Sequence, residues 1–193
     1  PLAPTEATPA ATFVSGSAFM GIGLESINEN DALLAQYWAG GPGVSIVDFE
    51  RYFFQSNQFN GPWSSMYLQA LSDLKYTIDN GNGAQAAAAN MLSVAIYQIL
   101  VDHYGDIPYS EALSGAPEDG GIVTPAYDDD AAVYASLITR ITDATTAMSN
   151  TNDELGNEDL IYGGDASKWV KFGNSLKLRL LMRQSIVDNS VSA

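Results

Sequence analysis

The stretch from 84 to 104, AQAAAANMLSVAIYQILVDHY, constrains the fold more than any other part of this chain. It is too long for a strand, holds neither glycine nor proline, and is followed by a glycine stop, so it predicts a helix. Met91, Leu92, Val94, Ala95, Ile96, Ile99, Leu100 and Val101 leave that helix apolar on nearly every side. Such a helix has to be covered by neighbours all round, and its alanine run lets other backbones approach closely. Gly105 is expected to end it in a left-handed conformation that disfavours a β-carbon. The chain must therefore supply several more helices to cover this one.

The remaining periodicity supplies them. Residues 13–27 predict a short helix with glycine interruptions. Asn30 or Asp31 can cap a further helix reaching Tyr37 and Trp38, stopped by Gly40-Gly41-Pro42-Gly43. Residues 44–60 are irregular and aromatic-rich. Pro62 sits where a helix tolerates proline, and Trp63, Met66, Tyr67, Ala70, Leu71, Leu74 and Ile78 then follow helical spacing up to a turn at 80–83. After a long loop, 106–127, Asp128-Asp129-Asp130 open a helix with the stripe Val133, Leu137, Ile138, Ile141, Ala144 and Met148. A second acidic loop, 149–164, leads to Asp165 as the cap of the last helix. That helix carries Trp169, Phe172, Leu176 and Leu180 on one face, and Leu178, Leu181, Met182 and Ile186 on another. Trp169 is expected to be buried. The sum is an all-α fold of two antiparallel helix pairs, 62–104 and 129–187, in a degenerate tetratricopeptide-like arrangement. Residues 1–12, rich in Pro, Ala and Thr, read as a flexible tether with a mature or trimmed start, and 13–193 as one helical domain.

Charge excludes some functions. The net charge is -15, and residues 102–165 hold 14 carboxylates against one basic residue, Arg140. Such a surface repels nucleic acid and anionic lipid heads. With Cys 0, no disulfide, thiolate metal site or cysteine nucleophile exists. No apolar run is expected to reach membrane-spanning length.

Candidate chemistry is sparse. His103, the only histidine, lies in the last turn of a helix, where a cation is favoured, and no nucleophile elbow accompanies it. Asp128-Asp129-Asp130 match no calcium-loop spacing and suit a helix N-terminus without a metal. The loop carboxylates of 152–159 read as solvated surface or as a face toward a partner. No catalytic set, metal or cofactor is expected. The aromatics Tyr37, Trp38, Tyr52, Phe53, Phe54, Phe59 and Trp63 are of more interest, since such rings either fill cores or stack on sugars and apolar peptides.

Several segments together resemble one family. They are Leu34-Ala35-Gln36-Tyr37-Trp38, then Trp63 to Leu74, then His103-Tyr104-Gly105-Asp106-Ile107-Pro108-Tyr109, Pro125-Ala126-Tyr127-Asp128, and Lys168-Trp169 through Met182-Arg183. These are similar to SusD-like (SusD/RagB) nutrient-binding lipoproteins of the outer membrane, in their N-terminal portion. The resemblance implies a non-enzymatic, surface-exposed lipoprotein. It would capture an oligosaccharide or peptide for a TonB-dependent (SusC-like) transporter, and touch the membrane only through a lipid anchor absent from this chain. The alternatives are a helical-repeat scaffold that binds protein alone and, more remotely, a glycosidase using loop carboxylates. Recognition is expected in the aromatic arm, 37–63. Trp38 and Tyr52 are the leading contacts, and Asp48, Gln55 and Asn57 the hydrogen-bonding partners.

Overall fold

The structure, a computed structural model, describes residues 7–43 and 48–185. Among them five helices follow one another: α1 (Pro9–Leu34), α2 (60–80), α3 (Gly83–Tyr104), α4 (Asp130–Asn150) and α5 (Ala166–Gln184). Short 3-10 turns at Asp48–Arg51 and Pro117–Asp119, and an isolated antiparallel bridge between Ile107 and Asp128, lie in the connections. The fold is all-α and tetratricopeptide-like, as expected.

Helix α3 is the spine. An Asn82–Gln85 capping box opens it, and its core-facing residues include Met91, Leu92, Val94, Ile96, Leu100 and Val101. Neighbours α2, α4, α1 and α5 cover it, and α4 also packs on α5. Stripes predicted on the later helices are buried: Val133, Leu137, Ile141, Ala144 and Met148 on α4, and Trp169, Leu176 and Leu180 on α5. Trp169 is fully enclosed, with its ring edge-on to Phe13 at 6.1 Å, Tyr162 at 5.1 Å and Phe172 at 5.7 Å. Leu178 and Met182, on the other face of α5, stay exposed; Ile186 lies outside the described residues.

The N-terminal third departs from expectation. Helix α1 runs unbroken for 26 residues, capped by the Thr8 hydroxyl, which accepts from Ala11 N at 3.2 Å. Residues 9–12, expected in the tether, are its first turn, and residues 1–6 lie outside the described residues. Gly16 and Gly23 are contact points rather than interruptions, and Gly21 is carried in the helix facing open space. A β-carbon at Gly16 would come within 2.8 Å of Leu74, and one at Gly23 within 3.0 Å of Met66, so two helices approach closely there. Asn30 and Asp31 fall inside the helix instead of capping a new one, and Tyr37 and Trp38 lie beyond its end. The irregular arm thus begins at Ala35 and ends at Phe59, before α2, and α1 becomes the packing partner of α2.

Helix α2 also differs from a plain α-helix. Asn60–Ser64 and Ser72–Asn80 are α-helical, but Ser65–Leu71 between them is a π-helix. An i, i+3, i+4 pattern does not distinguish one wide turn from regular ones. In length and hydropathy, α1 and α3 both reach the range of a membrane span, contrary to expectation. In α3 the apolar surface is mostly buried in the core, while α1 buries Phe13, Gly16, Gly23, Ile27 and Leu33 along one side.

Candidate functional site

The arm begins where α1 ends. Gln36 adopts φ 59°, and the backbone N–H groups of Tyr37 and Trp38 both donate to the Ala32 carbonyl, at 2.9 and 3.2 Å. Gln36 N donates to Leu33 O at 3.1 Å. Together these close the last carbonyls of the helix as a left-handed cap does, with glutamine in the position usually given to glycine. Past the 3-10 turn, Tyr52 folds back, its hydroxyl donating to Leu34 O at 3.0 Å while Gln36 Nε2 donates to that hydroxyl at 3.4 Å. Gly40 N donates to the Glu50 carboxylate, and Phe53 N to Asp48 O at 3.0 Å. A separate turn follows, in which Gln55 N donates to Gln58 Oε1 at 2.7 Å and Asn60 N to Asn57 O at 3.2 Å.

These hydrogen bonds leave the rings outward. Tyr37 is 86% exposed, Trp38 57%, Tyr52 54% and Phe53 57%. The core alternative for Trp38 and Tyr52 is therefore not what the structure adopts. The Phe54 and Phe59 rings pack against each other, tilted, at 6.2 Å. Of the five expected contacts, Tyr52 is docked on the end of α1, two residues along the chain from where Trp38 leaves through Gln36. Asp48 opens the 3-10 turn and is half-buried. Gln55 and Asn57 sit on the following exposed turn, apart from the Tyr52 contact. Sequence reasoning missed Gln36 and Glu50, which tie the arm to itself. It also missed His103, which meets Asp31 in the last turn of α1 ahead of the arm, 72 residues away, and Tyr104, which reaches Phe59 at the arm's end, 45 residues away. No local pattern signals partners at that separation.

The acidic segments are more built than solvated. Asp159 is buried and accepts four hydrogen bonds, from Ile161 N, Tyr162 N and Gly164 N, each at 3.0 Å, and from Trp169 Nε1 at 2.7 Å. Burial alone would push its pKa up; the Trp169 and backbone donors together outweigh that and hold it below the ordinary aspartate value. Asp128 staples the long loop, accepting from Tyr109 N, Ser110 N and Ser110 Oγ at 2.9, 2.8 and 2.8 Å. Against a burial effect in the opposite direction, the Ser110 and Tyr109 donors lower its pKa too. Among the described residues, Asp106, Asp129 and Asp130 each bring a carboxylate oxygen within 4.8 Å of the others, close enough together to meet a cation. Two of these carboxylates already accept helix N–H groups, Asp129 from Ala132 and Asp106 from Asp130.

A groove of about 540 Å³ runs between α3 and α4, lined by Ala87, Asn90, Tyr109, Ser136 and Arg140 among others. Arg140 Nε donates to Asn90 Oδ1 at 2.9 Å, and its guanidinium sits 5.8 Å from the Tyr97 ring centroid. Both contacts hold the cation against α3, as a packing residue is held.

Residues 3–193 match the SusD-like family model described as "Starch-binding associating with outer membrane". A solved chitin-binding protein superposes with a TM-score of 0.74 at 27% identity, over 92% of this chain and 39% of its own. A SusD homolog from Bacteroides uniformis does so with a TM-score of 0.56 at 31% identity, over 79% of this chain and 32% of its own. A SusD/RagB family protein from Bacteroides thetaiotaomicron shares the fold, with a TM-score of 0.69 at 23% identity over 88% and 38%. The chain thus spans well under half the length of these relatives. No curated protein sequence matches it.

Proposed function

Because the chain belongs to the SusD-like family, we propose that it is part of a non-enzymatic, cell-surface binding protein that captures a glycan or oligopeptide for a TonB-dependent, SusC-like outer-membrane transporter. In this reading the protein is held at the outer membrane by a lipid anchor outside this chain. Glycan is the preferred ligand class, because similar solved proteins are described as chitin-binding. The observation that carries the reading is the outward presentation of Trp38 and Tyr52 on an arm fastened at its base. Flat aromatic faces stack on sugar rings, and the amides of Gln55 and Asn57 with the carboxylate of Asp48 supply the donors and acceptors that hydroxyls need.

Calorimetric titration of the full-length protein with chito-oligosaccharides, malto-oligosaccharides and short peptides tests it. Trp38→Ala and Tyr52→Ala should each weaken binding of the active ligand about tenfold, roughly 1.4 kcal/mol. Unchanged affinity in both variants would move the site out of this arm. A second reading, a helical scaffold for protein partners without a small ligand, draws on the exposed Leu178 and Met182 of α5. Failure of every small ligand to bind the full-length protein would favour it.

A further inference from the structure

We propose that His103 and Tyr104, consecutive residues at the end of α3, are the positioning residues of the aromatic arm, one holding its departure and the other its return. The inference rests on the reading of the arm as the ligand surface only for its consequence in binding; its geometry stands apart. Asp31 lies in the last turn of α1, immediately before the arm leaves. His103 Nε2 meets Asp31 Oδ2 at 3.0 Å, and Nδ1 meets the Ile99 carbonyl at 2.7 Å, so the ring is fixed to its own helix as it reaches across. Tyr104 hydroxyl donates to the Phe59 carbonyl at 2.8 Å, at the last residue of the arm. The Tyr104 ring lies edge-on to Trp63 at 4.9 Å, and Trp63 lies against Tyr67 at 4.5 Å, which fixes the direction of the hydroxyl.

Both anchors belong to the most enclosed helix of the molecule. Gly105 terminates that helix directly behind them at φ 73°, so their height along α3 is set. A loop of this length closed at both ends on one rigid element has far fewer arrangements than one closed by its chain connections alone. The end of α1 that His103 ties down is the end to which Trp38 N and the Tyr52 hydroxyl donate, through the Ala32 and Leu34 carbonyls, so both residues are positioned before a ligand arrives.

The test combines amide exchange, unfolding and ligand titration on the full-length protein. His103→Leu removes one anchor, and Tyr104→Phe removes only a hydroxyl. Each should accelerate exchange of the arm's bonded amides, Trp38 and Phe53 in particular, about threefold to tenfold, the range one lost hydrogen bond supports. Exchange in α3 and α4 should stay unchanged. His103→Gln, which keeps a donor toward Asp31, should restore most of the protection. His103→Leu and Asp31→Leu should be non-additive, as members of one contact are. With the arm loosened, ligand affinity should fall while the unfolding midpoint moves little. Unchanged arm exchange in both single variants, with the fold intact, would overturn the proposal. Faster exchange with unchanged affinity would uphold the anchoring and overturn the arm as ligand site.

Discussion

Gly105 has φ 73° and ψ -127°, a region that residues with a β-carbon avoid. A β-carbon built there meets nothing within 4 Å, so the cost of one is conformational and not steric. Gly105→Ala should lower unfolding free energy by about 1–3 kcal/mol, seen as a shifted urea midpoint with an unchanged slope, and leave ligand affinity intact. This glycine was legible because a stop is needed after a long apolar helix. Gln36 at φ 59° was not, since glutamine carries no signal for a left-handed conformation. Asp159 misled for a different reason. In sequence it is one carboxylate among many in an acidic loop, and only the fold brings the Trp169 indole and three backbone N–H groups around it.

Elements were legible where their apolar residues keep to one face, as in α4; in α5 the buried face was legible, but which of its two apolar faces would be covered was not. Elements were not legible where contact replaces propensity. The glycines of α1 look like breaks, yet Gly16 and Gly23 each fit against a side chain of α2 that occupies the space of the missing β-carbon, while Gly21 faces open space. The same device joins α4 and α5: a β-carbon on Gly173 would lie 2.2 Å from Thr145 Oγ1 and 3.3 Å from Thr145 Cβ. Alanine is the better helix former by about 1 kcal/mol, but overpacking of this kind costs about 1–3 kcal/mol. Gly173→Ala should therefore destabilise on balance. Thr145→Ala removes the closest atom, so the double variant should recover much of the loss. A double-mutant cycle by chemical denaturation checks this, and simple additivity of the two changes would show that the helices adjust elsewhere.

Across the whole molecule, buried and half-buried tyrosines couple stability to alkaline pH. Tyr134 of α4 donates to the Asp102 carboxylate of α3, which also pairs with Arg183 of α5 at 2.7 Å. Burial, and then the hydrogen bond to Asp102, push the Tyr134 pKa up to about 12; burial raises Tyr67 and Tyr97 as well. An unfolded tyrosine titrates near pH 10. Between about pH 10 and 12 the unfolded chain thus loses protons that the folded one keeps, and stability falls as pH rises. Below pH 10 the contribution is complete. Thermal midpoints recorded from pH 8 to 12 should be flat and then decline. Tyr134→Phe should make the decline shallower without abolishing it, because Tyr67 and Tyr97 remain.

The sequence by itself determined the helical class, the all-round burial of α3, the buried stripes of α4 and α5, and the family resemblance. These follow from periodicity and from motifs that are local in the chain, where each residue's neighbours are known from its number. It also marked the arm as the aromatic-rich irregular segment, but not whether the rings face in or out. That was left to the tertiary structure, because an aromatic side chain suits a core and a surface groove equally until its neighbours are placed. The continuity of α1, the π turn of α2, the burial of Asp159 and the anchoring of the arm by His103 and Tyr104 were decided the same way. Each depends on atoms brought together from distant parts of the chain or on a backbone choice that side-chain spacing does not report.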